Sequence, residues 1–110
     1  MEMHLDEVYF NAIKDGKKIY ETRVFDEKRQ QIKLLDKIKF FDRNSKRTFT
    51  KEVVELAYFS NFEDAIKEVG IKKVLPNVRS LEEGVKLYES FPGYKEGAKK
   101  YGVLRIKFNN

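Results

Sequence analysis

The stretch Gly16-Lys17-Lys18-Ile19-Tyr20-Glu21-Thr22-Arg23 decides how this 110-residue chain is read. It places two lysines, a carboxylate and an arginine where a short apolar-rich helix turns into a strand, and the ends of elements carry function more often than their interiors. Upstream, Leu5, Val8, Tyr9, Ala12 and Ile13 fall at i, i+3, i+4, i+7 and i+8, which predicts a helix over Asp6 to Lys14 with one apolar stripe. Gly16 ends it. From Lys17 to Phe25 the β-branched and aromatic content rises, which predicts a strand. In a regular strand Glu21 and Arg23 share one face, roughly 6.5–7 Å apart, and Lys18, Tyr20 and Thr22 share the other. Lys17 and Lys18 lie where the strand begins and escape a strict alternation.

Working outward, Asp26 to Gln31 is polar and reads as a turn or a single helical turn, and Asp36 to Phe41 resumes strand character with Ile38 and Phe40 on one face. Asp42 to Arg47 reads as a hairpin loop, followed by a longer strand from Thr48 to Phe59. Val53 and Val54 are adjacent in that strand, which breaks the alternation and predicts a bulge or burial on both faces. Ser60-Asn61-Phe62-Glu63 and Ser80-Leu81-Glu82-Glu83 both have the Ser-x-x-Glu spacing of a capping box and predict two helices. The first carries Phe62, Ala65, Ile66 and Val69 and ends at Gly70. The second carries Leu81, Val85, Tyr88 and Phe91 ahead of Pro92-Gly93. Leu104, Ile106 and Phe108 alternate with Val103, Arg105 and Lys107 in a closing strand that should pair with an earlier one. The expected plan is α+β in one domain over residues 1–110, with four short strands around one core as a partly closed barrel and helices at its rim.

Composition bounds the partners. Hydrophobic residues make up 41% and aromatic residues 14%, enough for a core. The formal charge of +5, from 23 Lys and Arg against 18 Asp and Glu, favours an anionic partner without the bulk positive charge of a histone-like protein. The absence of Cys excludes disulfides, thiol nucleophiles and cysteine metal sites, and a lone histidine, His4, cannot build a metal cluster, so neither metal nor cofactor is expected. No apolar run reaches a dozen residues, which argues against a signal peptide or a membrane span and makes the cytoplasm the expected location. A charged fraction of 37% with two Gln suits a thermophilic source.

An arginine fork can grip a phosphate or a guanine edge, and a carboxylate can accept from a cytosine amino group. Glu21 and Arg23 are therefore candidates for reading a nucleobase. The plain alternative is that the two merely pair on the sheet surface, where such a pair contributes at most about 1 kcal/mol. Basic residues also interleave with aromatics: Lys28 and Arg29 follow Phe25, Lys46 and Arg47 precede Phe49, and Lys99 and Lys100 lie between Tyr94 and Tyr101. That mixture suits single-stranded nucleic acid, with Tyr20, Tyr94 and Tyr101 as stacking candidates. For catalysis only a lysine remains: a Lys18 amine desolvated beside Lys17 would act as base or nucleophile, with Glu21 or Thr22 orienting it or activating water. A third reading takes the Ser80 to Phe91 helix as a face for docking another protein.

On Gly16, Lys18, Glu21 and Arg23, followed by Asp36-Lys37-Ile38-Lys39-Phe40 as a later strand, the chain resembles the ASCH domain, a small PUA-like β-barrel family. The hallmark of that family is an amino-terminal helix, then Gly-x-Lys-x-x-Glu-x-Arg, then a strand starting near a Gly-Asp pair. Leu35 stands where a glycine is common, and the likeness extends to the closing strand Tyr101-Gly102-Val103-Leu104-Arg105-Ile106. The resemblance implies a small PUA-like mixed β-barrel with a cleft lined by Lys18, Glu21 and Arg23 that binds RNA or a modified nucleoside. Lys17, Tyr20, Lys28, Arg29, Lys46, Arg47, Lys99, Lys100 and Tyr101 are the further residues expected to meet nucleic acid. Some bacterial relatives look like metal-independent acetylcytidine amidohydrolases whose proposed catalytic set is a lysine, a threonine and a glutamate. Lys18 matches the lysine, while Glu21 occupies the threonine's place, so a catalytic pair of Lys18 and Glu21 is the alternative reading.

Overall fold

Gly16 has φ 80° and turns the chain out of the first helix, so that the amides of Lys17 and Lys18 both donate to the Ala12 carbonyl. This is one junction in a computed structural model that describes residues 1–110. The elements are β1 (Glu2–Leu5), α1 (Glu7–Lys14), β2 (Tyr20–Val24), a 3-10 turn (Arg29–Gln31), β3 (Lys37–Asp42), β4 (Thr48–Phe59), α2 (Phe62–Lys67), α3 (Ile71–Val74), α4 (Leu81–Ser90), α5 (Tyr94–Tyr101) and β5 (Val103–Phe108).

The strands form one five-stranded sheet in the order β1-β3-β4-β5-β2, curled into a half-barrel. β1 and β3 run parallel and every other pair is antiparallel. The fold is the expected α+β mixture with a partly closed barrel, but it has five strands where four were expected. The additional one is β1, in which Met3 and Leu5 are buried and Glu2 and His4 exposed. Four residues are too few for alternation to stand out, and Leu5 had counted toward the helix stripe. The stripe of α1 is accordingly rotated: Phe10 and Ile13 enter the core while Val8 is exposed.

The adjacent valines of β4 resolve as a bulge, with a register shift between Val53 and Glu55 and Val54 turned to solvent. Of the two expected caps, Ser80 accepts from the Glu83 amide at 3.2 Å. The first cap is Asn61 rather than Ser60. Its backbone is extended at φ −155° and its side chain accepts from the Asp64 amide at 2.8 Å, because asparagine caps as well as serine and lies one residue nearer the helix. α2 ends at Lys67, and Gly70, with φ 95°, opens the short α3. α5 was not expected at all. Its apolar side chains Tyr94, Ala98 and Tyr101 are spaced at i, i+4 and i+7, and Gly97 lets it lie so close to β2 that a Cβ there would sit 3.0 Å from Val24.

Two clusters of buried side chains result. One fills the inside of the curl with Phe10, Ile13, Ile38, Phe40, Leu104, Ile106 and their neighbours. The other lies between the opposite face of β2 and β5 and the helices α2 to α5, and includes Tyr20, Phe62, Ile66, Tyr88 and Val103. Leu81 and Val85 of α4 and Phe91 just after it, apolar residues of the expected docking segment Ser80–Phe91, pack against this second cluster.

Candidate functional site

β2 is an edge strand bonded only to β5, with Glu21 opposite Ile106 and Arg23 opposite Leu104. Cross-strand partners share a face, so Glu21 and Arg23 point to the inner side of the curl while Tyr20 and Val24 point toward the helices, as the alternation predicts. Lys18 precedes the strand and follows neither face. Its ammonium swings back to Glu21 Oε1 at 3.1 Å, donates to Tyr88 Oη at 3.3 Å, and also donates to the Val74 carbonyl at the end of α3.

Glu21 is the hub. Oε1 accepts from Lys18, from the Tyr88 hydroxyl at 2.8 Å and from the Thr22 amide at 3.0 Å. Oε2 accepts only from Arg23 Nη2, at 3.3 Å. Arg23 Nη1 makes a long contact of 3.5 Å to the Tyr94 hydroxyl at the start of α5. Glu21 and Arg23 do pair, but in the interior and not on the sheet surface: side-chain exposures are 1% for Lys18, 5% for Glu21 and 13% for Arg23.

Burial and charge pull these groups in opposite directions. Burial alone would push the Glu21 carboxyl up, yet the Lys18 and Arg23 charges and the hydrogen bonds from Tyr88 and Lys18 overcome it and hold the carboxyl at about 2. For Lys18 burial prevails over the attraction of Glu21, and the amine lies below its ordinary value. The Tyr88 hydroxyl is pushed well above its ordinary value by burial and by the neighbouring carboxylate, so it stays a neutral donor.

These residues form one wall of a cleft of about 230 Å³. It opens at the seam of the barrel, where the free edges β1 and β2 do not meet. His4, Leu5 and Asp6 line it from the end of β1, Tyr9 from α1, Leu75 from the segment after α3, and Phe91, Pro92 and Tyr94 from the junction of α4 and α5. Arg43, just after β3, stands at the mouth with its side chain 57% exposed and 3.3 Å from Asp6. The lining combines aromatic rings with a charged floor, the pattern of a site for a planar polar ligand.

Of the residues singled out in the sequence, the cleft gathers Lys18, Glu21, Arg23 and Tyr94. Tyr20 stays outside it: the residue is 8% exposed in the helix-side core, with the Arg105 guanidinium 5.1 Å and the Lys107 ammonium 5.9 Å from the centre of its ring. Lys17, Lys28, Lys46, Lys99 and Lys100 are exposed and away from the cleft, Lys100 lying 5.0 Å from the ring of the half-buried Tyr101. Arg29 is held by Asp26 at 2.7 Å, and Arg47 by Asp42 at 2.9 Å. Sequence reasoning missed His4, Asp6, Tyr9, Arg43 and Tyr88 as cleft residues. For Tyr88 a signal existed, since a tyrosine on a buried helix stripe needs a partner for its hydroxyl. No three His, Asp or Glu side chains come together as a metal-ligating group, and no helix is long and apolar enough to cross a membrane.

The ASCH domain family model matches residues 3–110. The chain belongs to the ASCH domain family. Its half-barrel is consistent with the small PUA-like barrel, and the family is generally associated with RNA binding. Among solved ASCH-type structures, the crystal structure of the hypothetical protein PH0355, from Pyrococcus, is 44% identical, with 98% of this chain and 95% of that chain covered and a TM-score of 0.86. The solution NMR structure of protein PF0455 from Pyrococcus furiosus is 38% identical over 98% of this chain and 94% of that chain, with a TM-score of 0.79. No curated protein matches the sequence.

Proposed function

We propose that this ASCH domain binds RNA by taking a single nucleoside into the seam cleft, where Glu21 and Arg23 meet the base edge and Tyr9, Phe91 and Tyr94 flank it. The observation that carries the reading is the unequal use of the Glu21 carboxylate. Oε1 is fully engaged, whereas Oε2 and the Arg23 fork beside it keep free hydrogen-bonding capacity toward a cavity with room for one base and its sugar. The exposed lysines 17, 28, 46, 99 and 100 lie outside the cleft and would follow phosphates of the flanking chain.

The alternative is metal-independent hydrolysis of a nucleoside amide such as acetylcytidine by Lys18 with Glu21. In its favour, burial lowers the proton affinity of the Lys18 amine. Against it, the ammonium has an acceptor for each of its three N–H bonds in Val74, Tyr88 and Glu21, an arrangement that favours the protonated form, which has no lone pair to attack with. Binding is therefore the better-supported function.

Two-dimensional NMR titration of labelled protein with single-stranded, hairpin and transfer RNA at low salt tests this directly. Salt-sensitive shifts centred on Lys18, Glu21, Arg23 and Tyr94 are expected, and their absence with every RNA would overturn the reading. Adding acetylcytidine to the same sample tests the alternative, which requires a product peak that disappears in Lys18→Ala.

A further inference from the structure

We infer that Arg43 makes the cleft select a nucleoside that carries a phosphate over the free nucleoside, by releasing Asp6 and taking the phosphate at the mouth. The inference rests on the nucleoside-binding reading and adds the ligand's charge and the residue that senses it.

The first ground is charge. Lys18, Arg23 and Arg43 face the cleft against Glu21 and Asp6, so its Lys, Arg, Asp and Glu side chains together carry one net positive charge. A free nucleoside leaves that charge uncancelled, while a phosphodiester or phosphate monoester offsets it. The second is position. Asp6 and Arg43 are the solvent-exposed charged residues of the lining, with His4 beside them, so the phosphate of a base seated against Glu21 and Arg23 reaches them at the opening.

The third is commitment. The charges of Lys18 and Arg23 are paired with Glu21 in the interior, which leaves Arg23 only its remaining N–H groups for a base edge, and Arg47 is held by the buried Asp42. Arg43 has only an exposed contact to Asp6, at side-chain exposures of 57% and 59%, the kind of pair that contributes little and is readily exchanged. Its backbone is nonetheless fixed, because the Arg43 amide donates to the Leu5 carbonyl at 2.9 Å and anchors the residue to the end of β1. A guanidinium on an anchored backbone with a weakly held partner is suited to trade a carboxylate for a phosphate, which it can grip with two parallel hydrogen bonds.

Calorimetric titration of adenosine, cytidine, guanosine and uridine against their 5′- and 3′-monophosphates provides the test. For the base that binds best, the monophosphate is expected to bind wild type at least about tenfold more tightly than the nucleoside. In Arg43→Ala that ratio should fall toward one, in Arg43→Lys it should be partly kept, and in Asp6→Asn, where the competing carboxylate is gone, it should rise. Equal affinities in wild type, or a ratio unchanged by Arg43→Ala, would overturn the role of Arg43 while leaving nucleoside binding in place. Failure of every nucleoside and nucleotide to bind would overturn both.

Discussion

Replacing Glu21 with glutamine removes a charge and almost no volume, and so isolates what the buried carboxylate does. In the wild type it faces Lys18 at 3.1 Å and Arg23 at 3.3 Å, all three side chains being nearly out of solvent. The carboxyl is held at about 2 against an ordinary 4.5. At roughly 1.4 kcal/mol for each unit of that difference, its ionisation contributes about 3 kcal/mol to stability at neutral pH. Lys18 works the other way. Its proton affinity is lowered chiefly by burial, so the charged amine costs stability at neutral pH and relies on the carboxylate to offset that cost. Glu21→Gln leaves two buried cations without their counter-charge, and breaking such a pair costs about 3–5 kcal/mol, in line with the first figure. With a urea slope of about 2 kcal/mol/M, the unfolding midpoint at pH 7 should fall by about 1.5 M. The pH dependence has a fixed sign. Because the folded carboxyl is depressed, its contribution is full above about 4.5 and is lost as the pH falls toward about 2, so the wild-type and variant curves should converge over that window. The double variant Lys18→Met/Glu21→Gln should be more stable than Glu21→Gln alone, since it removes a stranded charge as well as its partner. A loss below about 1 kcal/mol at pH 7, or curves that stay parallel down to pH 2, would refute the buried-pair reasoning.

Two backbone positions yield further predictions. Gly102 has φ 78° and ψ −170°, a region almost closed to other residues, and a Cβ there would sit 2.9 Å from the Phe59 carbonyl oxygen, so Gly102→Ala should cost about 1–3 kcal/mol in urea unfolding. Leu35 is the one non-glycine residue with positive φ, at 71°, and the residue is 68% exposed. Leu35→Gly should therefore raise stability by up to about 1 kcal/mol, read as a higher thermal midpoint, because the left-handed strain removed exceeds what little packing is lost.

Leu35 also illustrates what the sequence could reveal. A leucine where a glycine is common marks a position of unusual backbone, and the left-handed φ is the physical reason glycine suits it. The stop at Gly16, the bulge at Val53–Val54 and the shared face of Glu21 and Arg23 were legible for the same reason: each is set by a residue and its immediate neighbours. β1 and α5 were not. β1 is held by pairing with β3, some thirty-seven positions along the chain, and α5 is an eight-residue helix with five charged or glycine positions whose apolar stripe is satisfied only against β2 and α4. The cleft was legible in its floor and hidden in its walls. Lys18, Glu21 and Arg23 are neighbours in sequence, whereas His4, Arg43 and Tyr88 come together with them only once the sheet has curled.

That curl explains why a charged cluster is tolerated where stability alone would not place it. An edge strand exposes unpaired backbone groups, and β2 is shielded by α3, where the Ile19 amide donates to the Lys73 carbonyl, and by the close packing of α5. A barrel closed by pairing β1 with β2 would remove both edges and the cavity with them. The chain instead leaves the seam open and lines it with Lys18, Glu21 and Arg23, although well-packed apolar residues of similar volume are often at least as stabilising as a buried ion cluster. Under the proposed function, the cluster serves recognition rather than stability. Within it, Lys18 is held by Tyr88 and the Val74 carbonyl and Glu21 Oε1 by Tyr88, while Glu21 Oε2 and the Arg23 fork retain hydrogen-bonding capacity toward the cavity.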